Sequence, residues 1–156
     1  MTTTQETIKA FEELVLIDIG YYLDLNNLLI EFGKNKKIHL ADPLYYEIFE
    51  EWCLMEIKDK ENKKVENILA SHLARLGRSS KLFSENIYYW RNGSEIDVVV
   101  RAKNEAIGFE AKWGKEAKPI EKIIGKMKKV YLISKEKFEL NKRVIPLAVF
   151  LSILEI

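Results

Sequence analysis

A chain of 156 residues, 47% hydrophobic and 31% charged, has room for one globular domain with a real core. Its single cysteine, Cys53, excludes an internal disulfide and any cysteine-cluster zinc site. No apolar run is long enough to span a bilayer, and MTTTQETIKAFEE lacks signal-peptide character, so a cytoplasmic, membrane-free protein is expected. The abundance of Lys, Glu and Ile, with one glutamine, resembles proteins of heat-loving organisms. The net charge of +1 conceals a gradient. Residues 1–64 hold 13 acidic and 8 basic side chains, residues 65–111 hold 6 of each, and residues 112–156 hold 11 basic and 5 acidic. A basic last third suits a polyanion touching one face, although a solvated lysine-rich helix and loop would give the same balance.

In chain order, the first third mixes helical spacing with continuous apolar runs and does not divide cleanly. LLIEF and KIHLA flank the polar GKNK and predict a hairpin. Asp42 and Pro43 then predict a helix start, with a side-chain cap followed by a residue whose missing N–H costs nothing there. That helix runs through PLYYEIFEEWCLM, with Cys53 as core filler, and the charged IKDKENKK reads as a linker. Helix, hairpin and helix suggest a winged-helix-like unit over residues 1–63, ahead of a second domain over residues 64–156. From there VENILASHLARLG places Val65, Ile68, Leu69, His72, Leu73 and Leu76 on one side of a helix that Gly77 ends. Three strands follow: NIYYWR, EIDVVVR after an Asn92–Gly93 turn, and AIGFEAKW. A helix around PIEKIIGKM, then strands KVYLIS and VIPLAVFL, complete an α/β fold with a mixed sheet flanked by helices.

Acid stands where burial normally excludes it. Asp97 lies between Ile96 and Val98 in a strongly β-forming run, and Glu110 and Lys112 are two apart, on one face of the next strand. Adjacent strands thereby bring a carboxylate each to one point, and Glu66 near the start of the preceding helix adds a third. Carboxylates in close company repel unless a cation or a proton intervenes, and Mg²⁺ or Mn²⁺ with oxygen ligands is the natural answer.

Asp97, the triplet Glu110-Ala111-Lys112 and the helical Glu66 resemble the PD-(D/E)XK, or restriction-endonuclease-like, nuclease superfamily over about residues 64–134. The resemblance implies that superfamily's core of helix, three strands, helix and strand. A wider likeness, over roughly residues 20–150, is to the domain of unknown function at the C-terminus of archaeal AAA-type ATPases. It is carried by KIHLADPLYYEIF, RNGSEIDVVV and GFEAKW. Ile96 stands where the superfamily often has proline, and PIEKIIGKM lacks the Gln and Tyr of the RecB-like branch.

What the resemblance implies is metal-dependent phosphodiester hydrolysis of DNA. Asp97, Glu110 and the carbonyl of Ala111 would hold Mg²⁺ or Mn²⁺, Glu66 would add to the metal set, and Lys112 would polarise the attacking water. Arg91, Ser94, Trp113, Lys115 and Lys118 become candidate nucleic-acid contacts, each with a bland alternative in turn support, packing or a solvated face. The lysines at 122, 126, 128 and 129 extend that basic run. Trp90 reads as core, His72 as a satisfied core histidine, and His39 has no assigned role. A non-catalytic DNA- or protein-binding accessory domain of an ATPase is the competing reading. The chain has no G-x-x-x-x-G-K-[ST] loop and so does not itself hydrolyse ATP in that way. A homodimer is expected by analogy with nucleases of this fold.

Overall fold

The computed structural model describes residues 17–54, 56–80, 83–114 and 124–154. Its frame is one mixed sheet of eight strands: β1 (Ile17–Asp24), β2 (Leu29–Ile30), β3 (Lys37–Leu40), β4 (Ile87–Asn92), β5 (Ser94–Ala102), β6 (Glu105–Lys112), β7 (Met127–Ser134) and β8 (Val144–Pro146). The order across the sheet is β2-β1-β4-β5-β6-β7-β8, with β3 paired to β1 as well. β4, β5 and β6 form an antiparallel meander, while β1–β4, β6–β7 and β7–β8 are parallel. Helices α1 (Tyr45–Cys53), α2 (Lys60–Ser79) and α3 (Leu147–Leu154) accompany the sheet. This is the mixed α/β architecture that the sequence predicts.

Helix α2 does most to position the site. Val65, Leu69, Leu73, Ala70 and Ala74 recur at i and i+4 and are buried. They pack on Ile87, Val98, Val100, Phe109, Ala111 and Ile133 of the sheet, with Leu147 and Phe150 of α3 closing the same core. A second core on the other face joins Leu23, Leu25, Tyr88, Trp90, Ile96, Val99 and Met127. Trp90 is thus core, as expected.

Local expectations differ in several places. The runs LLIEF and KIHLA do not pair with each other. Leu29–Ile30 and Lys37–Leu40 both pair antiparallel with β1, along the edge that faces away from β4, because β1 offers both a longer partner. These N-terminal strands therefore share one sheet with the strands that follow residue 64. The supposed linker is shorter, since α2 begins at Lys60. Gly77 lies inside the last turn of α2 rather than ending it. A Cβ there would come within 2.5 Å of the Ser84 carbonyl oxygen, so close chain crossing and not helix termination demands glycine. The predicted helix 119–127 falls partly outside the described residues, and its end is a turn: Met127 N–H donates to the Ile124 carbonyl, and β7 starts at Met127. VIPLAVFL is strand only to Pro146, after which α3 takes over, a run whose uniform apolarity fits either structure.

At the front of α1 the start falls two residues later than predicted: Leu44 is the N-cap, without a side-chain cap bond, and Asp42 closes the turn before it. The Asp42 carboxylate accepts from the Leu44 N–H at 2.8 Å, and α1 follows at Tyr45. Yet α1 buries none of its residues, and Cys53 is exposed rather than core filler.

Candidate active site

A β-bulge and a parting of strands create the site. Tyr88 pairs with Val99 and Trp90 with Ile96, so Tyr89 alone stands opposite both Asp97 and Val98. The extra residue breaks the alternation in β5. Ile96 stays in the second core, and Val98 joins the α2 core. The regular β5–β6 ladder runs from Ala102–Glu105 to Val98–Phe109. Beyond it, Asp97 Oδ2 accepts the Ala111 N–H at 2.9 Å, replacing a ladder bond with a carboxylate. One step further, Asn62 of α2 accepts the Trp113 N–H at 2.6 Å.

A cleft of about 210 Å³ opens there, between the start of α2 and the ends of β5 and β6. Glu66, Asp97, Ala111 and Lys112 line it, with Asp59, Asn62 and Lys63 of the α2 entrance. Three of the four residues singled out by sequence thus meet at one opening. Glu110 does not line it. It is buried in β6 between Phe109 and Ala111, which face the α2 core, and its Oε1 takes the Lys112 ammonium at 2.6 Å.

Two further residues complete the cluster. Lys37 Nζ of β3 lies 2.6 Å from Glu66 Oε1, 2.7 Å from Glu95 Oε1 and 3.5 Å from Asp97 Oδ1. Glu95 was legible, being two residues before Asp97 on the same strand. Lys37 carried no such signal, because only the pairing of β3 with β1 brings it to residues 66 and 97. His39, also on β3, is 2% exposed and has Nδ1 4.0 Å from Glu66 Oε1.

The electrostatics follow from burial. Glu66, Asp97 and Lys37 are 21%, 18% and 23% exposed, too enclosed for water to neutralise them cheaply. Burial, and then the Asp97 charge, raise the Glu66 pKa, while Lys37 opposes the rise. Burial likewise raises Glu110 against the pull of Lys112. Burial works against the charge on Lys37, but Glu66 and Asp97 win and raise its pKa, keeping the ammonium charged. His39 is pushed down to about 4, by burial first and by Lys37 second, so it is neutral at neutral pH.

Among the described residues no three His, Cys, Asp or Glu side chains stand grouped as metal ligands. Lys37 takes the Glu66 and Asp97 oxygens, and Lys112 takes Glu110. The donors are nonetheless hard oxygens, two carboxylates on different elements. Such a pair fits a largely hydrated Mg²⁺, which commonly uses one or two carboxylates and keeps its waters, and does not fit a closed protein cage.

Of the remaining candidates, Arg91 is well exposed, with Nε 3.8 Å from Glu95, and Ser94 is exposed beside Gly93, whose φ of +71° makes the turn. Trp113 packs against the α2 core, and the Lys135 ammonium sits 5.9 Å from its ring centre. Lys115, Lys118 and Lys122 lie outside the described residues. Lys126, Lys128 and Lys129 are exposed, and Lys128 pairs with Glu105 at 3.1 Å. His72 bonds the Ile68 carbonyl within its own helix, 2.8 Å away, and does not line the cleft.

The fold and site define a mixed α/β domain with an acid-and-lysine cleft where two central strands separate. The family model described as a domain of unknown function, DUF4143, matches residues 61–150, and the chain belongs to that family. No curated protein and no solved structure matches it. Among the described residues no helix is long and apolar enough to cross a membrane.

Proposed function

We propose that this domain is a divalent-metal-dependent nuclease module of the PD-(D/E)XK type, hydrolysing phosphodiester bonds in DNA. One observation carries the reading: Glu66 and Asp97, from α2 and β5, share with Lys112 an opening where the β5–β6 ladder ends. A purely structural use would leave those carboxylates exposed or pair them singly. Here they are partly buried and repel one another, a state that stores affinity for a cation.

Asp97 and Glu66 would hold Mg²⁺ or Mn²⁺ at the cleft. When bound, the ion supplies charge neutralisation at the phosphate and a more acidic water. The protein's own part is positional. Asp97 is fixed by its bond to the Ala111 N–H, and α2 presents Glu66 across from it. Lys112 brings a positive charge to the cleft wall, where it would offset charge developing on the phosphate. Glu110 holds Lys112 in place; burial works against the Lys112 charge, but the hydrogen bond and charge of Glu110, with the Asp97 charge, together raise its pKa and keep it protonated.

The test is cleavage of single-stranded, duplex and branched DNA with Mg²⁺, Mn²⁺ or EDTA. Wild type should cut with metal only, while Asp97→Asn and Lys112→Met should be inactive yet folded. Cleavage that survives in folded Asp97→Asn would refute the assignment.

A second reading, an accessory module docked on an ATPase, draws on α1 and its flanks. Leu44, Phe49, Trp52 and Leu54 are exposed there, and large apolar side chains grouped on a surface suit a protein partner. Absence of cleavage on every substrate, with tight binding to such a partner, would favour it.

A further inference from the structure

A second and larger cavity, of about 350 Å³, lies beside the acidic cleft, and Lys37 and Glu95 join the two. Its wall is the segment between β2 and β3 together with the β4–β5 turn. Lys34, Lys36, Lys37 and Arg91 contribute four positive charges against one negative charge from Glu95. Tyr22 and Tyr89 form the floor. Their rings meet edge to face at 5.7 Å, with the Lys34 ammonium 5.7 Å from the Tyr22 ring centre. The Tyr89 hydroxyl donates to the Asn35 carbonyl and pins the basic segment onto the sheet.

Lys37 is committed to Glu66, Glu95 and Asp97, whereas Lys34 and Arg91 are only loosely held. Lys34 is 3.9 Å from Glu31, and Arg91 is 3.8 Å from Glu95 with 73% of its side chain exposed. A concave basic wall over tyrosine rings suits a phosphate and a ring lying together. The volume is near the lower end of small-molecule pockets, roughly 300–1,000 Å³, and admits one nucleotide but not the convex face of a duplex.

We propose that this cavity binds one unpaired nucleotide of the strand whose neighbouring phosphodiester enters the acidic cleft. The phosphate would lie against Lys34, Lys36 and Arg91, and the base against the partly exposed Tyr22 ring. The proposal rests on the nuclease reading for what happens in the cleft, but not for binding in the cavity. Its consequence is substrate class: nucleic acid with a single-stranded or flipped-out nucleotide at the cut, in preference to intact duplex.

The test measures anisotropy of a labelled oligothymidylate of about 12 nucleotides in EDTA, so that no cleavage intervenes. The double variant Lys36→Gln/Arg91→Gln should bind about tenfold more weakly, with a salt dependence lower by about one to two charges. Tyr22→Leu should weaken binding less and leave the salt dependence unchanged. Lys142→Gln, a loss of charge elsewhere, should match wild type. Unchanged binding in the double variant, equal binding of intact duplex, or equal competition by polyglutamate at matched charge would each overturn the proposal. A wild type that binds through the cavity but cuts nothing in Mg²⁺ supports it and counts against the nuclease reading alone.

Discussion

Two lysine–glutamate clusters of similar chemistry behave in opposite ways. At the junction of α1 and α2, Lys60 contacts Glu47 and Glu50 at 2.8 and 2.5 Å, and Lys64 contacts Glu47 and Glu61. Glu47 and Glu61 stay open to water here, and hydrogen bonds from Lys60 and then Lys64 hold the Glu47 pKa at about 2. At the cleft, one lysine faces Glu66, Glu95 and Asp97 in a partly buried setting, and the Glu66 pKa rises instead of falling. The first cluster is content with its own cations. The second carries excess negative charge that burial makes expensive, which is the condition for recruiting a metal ion. Sequence charge alone does not separate them; the fold does, by giving three carboxylates two lysines in the first cluster and one in the second.

The sharpest way to break that contrast is Asp97→Asn. Metal-dependent cleavage should fall by roughly two or more orders of magnitude, because the charge that would hold the ion is gone while the side-chain shape persists. Comparing initial rates at saturating Mg²⁺ decides it.

Lys37→Gln comes next. Removing the ammonium leaves three carboxylates facing one another. A fully buried pair broken this way loses about 3–5 kcal/mol, and partial exposure should reduce the loss to roughly 1–3 kcal/mol. Thermal melts should show a lower Tm than wild type in EDTA, with Mg²⁺ recovering more of it in the variant than in wild type. A Tm unaffected by either change would make the cleft as indifferent as the α1–α2 cluster.

The pH response is smaller and has two signs. His39 has a folded pKa of about 4 against an ordinary 6.5, so its contribution to stability is complete above about 6.5 and is lost as pH falls towards 4. Glu66 runs the other way. Its raised folded pKa favours the protonated fold, so stability declines as pH rises through that raised value and recovers on acidification. Melts of His39→Gln and Glu66→Gln from pH 4 to pH 7.5 should each abolish one limb (both values on the ordinary titration scale of these groups).

The smallest effect belongs to Glu47→Gln. At this open carboxylate the loss of stability should be small and shrink in salt, with metal binding and cleavage unaltered. Urea denaturation at low and high salt checks it.

Much of this was legible in the chain. The alternation of EIDVVVR and AIGFEAKW marks two adjacent strands, the i and i+4 spacing from Val65 marks α2, and the placement of Asp97 and Glu110 in apolar runs flags the site. What escaped is tertiary. The bulge at Asp97–Val98 depends on which β4 residues β5 meets, and local periodicity does not encode it. Lys37 reaches Glu66 across 29 residues of sequence, by way of β1 pairing with β3 on one edge and β4 on the other. Glu110 and Lys112 share a strand face and their charged ends meet, yet only Lys112 lines the cleft. The apolar VIPLAVFL gave no period by which to divide strand from helix.

The most direct test of the central claim is calorimetric titration of Mn²⁺ into wild type, Asp97→Asn and Lys37→Gln at neutral pH. The account predicts one site in wild type, lost in Asp97→Asn and tighter in Lys37→Gln, where the ion no longer competes with a resident ammonium. Failure of both wild type and Lys37→Gln to bind would contradict it, and the cleft would then be a self-neutralised ion cluster like the one joining α1 to α2.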